Sequence, residues 1–223
     1  MRTLHSVIFD LDGTLADTLP VCCAAYRHAF KQYTDRTYSD AELEALFGPN
    51  EEGIIRSVLA DRPALVEGCL QSYLTAYARL HGDELRPFPG VERALRMLSE
   101  HRVPVALVIG KGARSAAISL ERLHLLSYFD IVEVGSPDGA IRPFSIRRVL
   151  ERWRVAADRV AYVGDAAYDM QAAREAGVLP VSAAWAPKAS SENLAAQAPL
   201  AVFSDLAQFV AWLGCTLGRA SSS

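Results

Sequence analysis

The stretch Val7-Ile-Phe-Asp-Leu-Asp-Gly-Thr-Leu15 decides the reading of this chain. Ser6 to Phe9 is a short apolar run between a polar start and the pair Gly13-Thr14, the pattern of a buried strand that ends at functional residues. Asp10 and Asp12 follow directly. In open parallel sheets ligands bind beyond the carboxyl ends of the strands, so carboxylates in this position are the first place to look for chemistry. A second run repeats the arrangement, Val160-Ala-Tyr-Val-Gly-Asp165-Ala-Ala-Tyr-Asp169. Taken alone, Asp169 reads equally well as a cap or turn residue. D-x-D-G-T is harder to dismiss: with each fixed residue at roughly 5–7% of usage, accident produces it in well under about 1% of chains this long. A calcium loop of the EF-hand type is excluded, because it needs glycine at its sixth position and glutamate at its twelfth. Here Gly13 comes fourth and Val21 twelfth.

Outward from these runs, further short apolar segments lie at Val105–Ile109, Ile131–Val134 and Ala201–Phe203, with a weaker one at Leu179–Ser182. Between them are segments of helical period at Val91–His101, Ala113–Leu123, Phe144–Trp153, Tyr168–Ala176 and Ser204–Leu213. Strands alternating with helices predict an α/β fold, a parallel sheet covered on both faces. Residues 17–86 break the rhythm. They carry amphipathic runs at Thr18–Tyr33, Asp40–Phe47, Glu52–Leu59 and Pro63–His81 and no convincing strand. The spacing predicts an all-helical insert in a core made of residues 1–16 and 87–223. Its exit, Arg86-Pro-Phe-Pro-Gly90, limits helix continuation and marks a boundary. Ser221–Ser223 reads as a disordered tail.

Composition narrows the function. The chain has 223 residues, enough for one full core and a smaller appendage. Its 23 basic and 26 acidic residues are evenly mixed, leaving no basic stripe for nucleic acid or an anionic membrane. Four cysteines, at positions 22, 23, 69 and 215, form no C-x-x-C and no zinc-like spacing with histidine, so they read as free thiols in a reducing compartment. With no signal-peptide pattern and no long apolar run, the expected location is cytoplasmic. The histidines at 5, 28, 81, 101 and 124 are scattered and read as structural; neither H-E-x-x-H nor G-x-S-x-G occurs.

Four carboxylates converging on one sheet edge repel one another unless a hard dication neutralises them, and oxygen ligands favour Mg²⁺. A carboxylate can attack phosphorus to give an aspartyl-phosphate, dividing one difficult hydrolysis into two steps. Asp10 suits that nucleophile. Asp12, two residues on, suits the acid that protonates the leaving oxygen and then activates water. Gly13 lets the backbone turn away, and Thr14 offers a hydroxyl nearby.

Asp10-Leu-Asp-Gly-Thr14 and Gly164-Asp-Ala-Ala-Tyr-Asp169 resemble the first and last motifs of the haloacid dehalogenase-like superfamily. The insert after the first motif is similar to the cap of its phosphoglycolate phosphatase-like branch, and Pro89-Gly90 resembles the return to the core. The resemblance implies a Rossmann-like core with a mobile helical cap. It implies Mg²⁺ held by the Asp10 carboxylate, the Asp12 backbone carbonyl and Asp165, with Asp169 outside them orienting water on the metal. Dehalogenases of the superfamily lack the second aspartate and need no metal, so Asp12 points to phosphoryl transfer.

Two positions depart from the pattern. Where the second motif supplies Thr or Ser to hold phosphate, this chain has Ile109, in Val105-Ala-Leu-Val-Ile-Gly-Lys111. Backbone N–H groups from Gly110 onward, with Lys111, Arg114 or Ser115, are the available substitutes. Losing one donor to a transition-state charge costs about 3 kcal/mol. Where the third motif supplies lysine before proline, Ile141-Arg142-Pro143 supplies arginine, which keeps the charge in a planar fork. Gly110, Lys111 and Arg142 are thus the candidate phosphate-binding residues. In the insert, Gly48 of Leu46-Phe-Gly-Pro-Asn-Glu-Glu-Gly53 resembles the position where capped members touch substrate. The leading expectation is a Mg²⁺-dependent phosphatase acting on a small phosphorylated metabolite. A phosphomutase of the same fold, or a relative that binds a phosphorylated ligand without turnover, are the alternatives. Tyr73, Leu74 and Tyr77 suit either the insert's own core or a contact between copies.

Overall fold

A computed structural model describes residues 3–82 and 85–217; the Ser221–Ser223 tail lies outside them. Six strands, β1 (Ser6–Phe9), β2 (Val105–Val108), β3 (Ile131–Glu133), β4 (Val160–Gly164), β5 (Leu179–Ala183) and β6 (Ala201–Phe203), form one parallel sheet in the order β3-β2-β1-β4-β5-β6. β1 lies at the centre, with Val7 opposite Val105 on one side and Ala161 on the other. The chain winds outward from it in both directions, so the switch point falls at the carboxyl ends of β1, β2 and β4, where the sequence puts Asp10 and Asp165.

Alternation along the strands builds two cores. Phe9, Leu107 and Val163 face α5 (Val91–Glu100), α6 (Ala113–Arg122) and α10 (Leu206–Thr216), packing with Leu95, Leu120 and Phe209. Ile8, Val108 and Tyr162 face α7 (Arg142–Trp153) and α8 (Ala167–Ala176), packing with Ile146, Val149 and Ala173. Burial on both faces is why these strands read as continuous apolar runs.

The insert folds as α1 (Leu19–Thr34), α2 (Asp40–Glu44), α3 (Glu51–Val58) and α4 (Val66–Leu80). Ser39 and Glu42 form a capping box at α2, and the Asn50 side chain accepts from Gly53 N at α3. Its core is aromatic: Tyr26 lies 4.4 Å from Tyr73, which stacks on Tyr77 at 5.7 Å. Tyr73, Leu74 and Tyr77 are buried, and so belong to the interior rather than to a free surface. The two chain crossings between insert and core pair with each other through Ala16 and Pro87, and Phe88 N donates to Leu15 O at 2.9 Å.

Several boundaries differ from the sequence reading. The Pro63–His81 run divides into a 3-10 turn at Pro63–Leu65 and α4. α7 begins at Arg142 rather than Phe144, because proline in a first helical turn lacks only an N–H that would go unpaired there anyway. α10 starts later than Ser204, where Asp205 accepts from Ala207 N and Gln208 N, and runs on to Thr216. A short helix, α9 (Ser191–Ala195), was not anticipated. Among the described residues all four cysteines are free, three of them buried, and no helix is long and apolar enough to cross a membrane.

Candidate active site

Asp10 ends β1, and its N–H donates to Val163 O at 2.9 Å, locking it to the end of β4. The chain then turns tightly: Leu15 N donates to Leu11 O at 2.9 Å and Gly13 adopts φ +74°. That φ favours glycine, and a Cβ at Gly13 would intrude on the Asp165 carboxylate. Thr14 Oγ1 donates to Asp165 Oδ1 at 3.2 Å, while Trp185 Nε1 holds the Thr14 carbonyl at 2.9 Å. Asp165 follows β4. Asp169 lies in the first turn of α8, fully buried, where it accepts from Ala166 N at 2.9 Å. A side chain at Gly164 would occupy the space of the Asp169 carboxylate.

The first and last motifs therefore meet. One oxygen each from Asp10, Asp165 and Asp169 lies within 4.8 Å of the others. Asp169 is ion-paired to Arg142, whose guanidinium also lies 3.5 Å from Asp10 Oδ1 and 5.4 Å from the centre of the Tyr168 ring. Asp10 and Asp165 are left short of positive charge. Burial pushes the Asp165 carboxyl up to about 7, with the Asp10 charge adding to the shift. Burial also raises Asp10, against the Arg142 guanidinium and with Asp12. An all-oxygen set of crowded carboxylates fits a hard divalent cation, and no histidine or cysteine competes within the cluster.

Asp12 points elsewhere. Its Oδ1 accepts from Lys111 Nζ at 2.6 Å and from Thr18 Oγ1. Its side chain is not part of the acidic cluster. Lys111 is buried, donates also to Cys22 Sγ at 2.9 Å, and lies 5.2 Å from the centre of the Tyr77 ring. Burial alone would lower this ammonium; Asp12 and its other neighbours outweigh that and hold it well above the usual lysine range. The Cys22 thiol is pushed up to about 11 by burial, Lys111 notwithstanding.

Asp10, Asp12, Cys22, Lys111, Arg142 and Asp165 line a cavity of about 550 Å³ between insert and core. Gly48, Ile109 and Gly110 line it as well. Ile109 lies one residue past β2, with its N–H donating to Glu133 O at 3.0 Å, and its side chain brings no hydrogen-bonding group to the wall.

Sequence reasoning missed the groups that seat the insert on the core. Glu51 Oε2 accepts from Gly112 N at 2.6 Å, and Oε1 from the Ser115 hydroxyl. Asn50 donates through its N–H to Ser136 O at 2.8 Å and through Nδ2 to Gly135 O at 3.1 Å. The Tyr77 and Ser119 hydroxyls pair at 2.7 Å. One signal was available: Glu51 shares its helix face with Ile54 and Ile55, and a carboxylate on an apolar face needs a partner.

The family model for haloacid dehalogenase-like hydrolases matches residues 7–183, and the chain belongs to that family. It is 31% identical over 179 residues to a phosphorylated carbohydrates phosphatase of Thermotoga maritima, covering 78% of this chain and 82% of the relative. It is 29% identical over 187 residues to a phosphoglycolate phosphatase of Neisseria meningitidis, covering 80% and 79%. Among solved structures, CbbY from Rhodobacter sphaeroides in complex with phosphate superposes with a TM-score of 0.78 at 16% identity, over 93% of this chain and 96% of that one.

Proposed function

We propose that this chain is a Mg²⁺-dependent phosphatase that hydrolyses small-molecule phosphate monoesters through a phosphorylated Asp10. The observation that carries the reading is the juxtaposition of two crowded carboxylates, the buried Asp10 and the half-buried Asp165, with the Arg142 guanidinium in the wall of one cavity. Phosphatase relatives support it. We take residues 17–86 as the cap, residues 1–16 and 87–223 as the catalytic core, and the cytoplasm as the place of action.

Asp10 and Asp165, with the Asp12 carbonyl, would hold Mg²⁺, which when bound supplies charge for the transferring phosphoryl group. Arg142 and the backbone of the Gly110–Lys111 loop bind the phosphoryl oxygens, and Asp169 fixes Arg142. An Asp10 carboxylate oxygen attacks phosphorus, the bond from phosphorus to the ester oxygen breaks, and Asp12, entering the step protonated on Oδ2 while Lys111 and Thr18 hold Oδ1, gives that proton to the departing alcohol. Asp12 then takes a proton from water as that water attacks the aspartyl-phosphate. Inorganic phosphate leaves and Asp10 is restored. The cap covers the cavity and excludes bulk water during both steps, with Gly48 on its wall.

The test is release of phosphate from p-nitrophenyl phosphate and acetyl phosphate, with and without Mg²⁺, beside Asp10→Asn. Mg²⁺-dependent release abolished in the variant is expected. Folded wild-type protein that releases no more than Asp10→Asn would overturn the reading.

A further inference from the structure

We infer that the leaving group this cavity accepts is a neutral alcohol without a second anionic group. The inference rests on the phosphatase reading for the identity of the site, and on the charge and composition of the cavity wall for the substrate class.

Two cations line the cavity among the described residues, Lys111 and Arg142. Both are at the reacting end and both are committed there, Lys111 to Asp12 and Arg142 to Asp10 and Asp169. The insert contributes none. None of its basic side chains lines the cavity, and Arg27, Lys31, Arg36 and Arg56 are engaged away from it, on Asp40, Asp35, Glu42 and Glu52. What the insert does contribute is the aromatic group Tyr26, Phe47 and Tyr73, the aliphatic Ile54, and a single charge of the wrong sign for an anion, Glu51. Both Glu51 oxygens are already occupied by Gly112 N and Ser115 Oγ, which fixes the carboxylate in the wall. The Tyr73 hydroxyl is buried without a partner among the described residues, and the other neutral polar side chain that the insert brings to the wall, Asn50, is held by Gly135 O and Gly53 N.

A leaving group bearing a carboxylate or a second phosphate would thus lose its hydration at a wall that offers no counter-charge and one fixed negative charge. Burying an unpaired charge in that way is strongly unfavourable. The same wall disfavours a mutase, since moving a phosphoryl group between two positions of one sugar requires holding a second phosphate at the far end.

The experiment uses isosteric pairs. Binding of benzylphosphonate, 4-carbamoylbenzylphosphonate and 4-carboxybenzylphosphonate to the Mg²⁺-loaded protein is measured by calorimetry, and hydrolysis of the corresponding phosphate esters by phosphate release. The carbamoyl and carboxy compounds match in shape and differ in charge. We expect the carbamoyl compound to bind at least about tenfold more tightly than the carboxy compound, which corresponds to 1.4 kcal/mol. Phe47→Arg, which places a cation on the half-exposed rim of the wall, is expected to reduce that ratio to about threefold or less by tightening the carboxy compound. Equal binding, a preference for the carboxylate, a ratio unmoved by Phe47→Arg, or no binding of any of the three overturns the inference. Ordered phosphonate binding with no turnover of any ester leaves the cavity assignment standing and removes the phosphatase reading.

Discussion

Lys111 Nζ sits 2.6 Å from Asp12 Oδ1, joining the loop after β2 to the loop after β1 beneath the insert. The lysine side chain is 4% exposed and the aspartate 18%, so the pair is only thinly screened. Removing one partner leaves the other unpaired in a poorly hydrated place. Lys111→Met should destabilise the fold by about 3 kcal/mol, and Lys111→Met with Asp12→Leu should recover part of the loss. Urea unfolding of the two single variants and the double variant measures the coupling. Additive losses would show that the pair contributes nothing beyond its separate contacts.

Asp165 ties metal affinity to pH. Its carboxyl titrates near 7 when no cation is present, against an ordinary value of 3.8. The folded protein therefore keeps a proton that the unfolded chain has already lost. This group favours folding at low pH, and the advantage is lost as pH rises from 3.8 through 7. Mg²⁺ competes with that proton. The rise in Tm on adding Mg²⁺ should be larger at pH 8 than at pH 5.5, and Asp165→Asn should remove the difference. A pH-independent Mg²⁺ shift in the wild type would contradict this.

His81 acts in the opposite direction. It is fully buried against Tyr77, and neither ring nitrogen has a partner among the described residues. Burial lowers its pKa below 6.5, so the neutral ring is the folded form. The stability it contributes is complete above the unfolded value and is lost as pH falls through the folded one. His81→Phe should flatten the decline of Tm between pH 7 and pH 5. An unchanged slope would place the acid sensitivity elsewhere.

Ile109 offers a gain-of-function test. It lines the cavity one residue past β2, where a hydroxyl could reach a phosphoryl oxygen. A donor to transition-state charge is worth about a hundredfold in rate. Ile109→Thr should raise kcat for p-nitrophenyl phosphate by at least about tenfold, with little change in KM. A fall in kcat would mean that the apolar side chain itself serves turnover.

The strands and the aspartate pairs were legible because each depends on local signals. Buried parallel strands are short apolar runs, and Gly13 and Gly164 mark where carboxylates crowd the backbone. The interrupted rhythm of residues 17–86 likewise announced helices. What was not legible comes from distant partners. Glu51 meets Gly112 across 61 residues and Tyr77 meets Ser119 across 42, and nothing in either neighbourhood encodes the other. Lys111 could be read as a cation near phosphate, but its commitment to Asp12 depends on how β1 and β2 align. α9 escaped because a five-residue helix has too few turns to show a period.

Of the paired crossings at Ala16 and Pro87, Ala16 lies four residues from Asp12, and Asp12 itself bridges to Ala16 through the backbone. On the proposed reading the proton donor thus stands where the chain leaves the core for the insert. The junction thus touches Asp12 twice, through the Ala16 backbone and through the Thr18 hydroxyl on its carboxylate. If Asp12 is the acid, the seating of the insert and the placing of that acid are one mechanical arrangement.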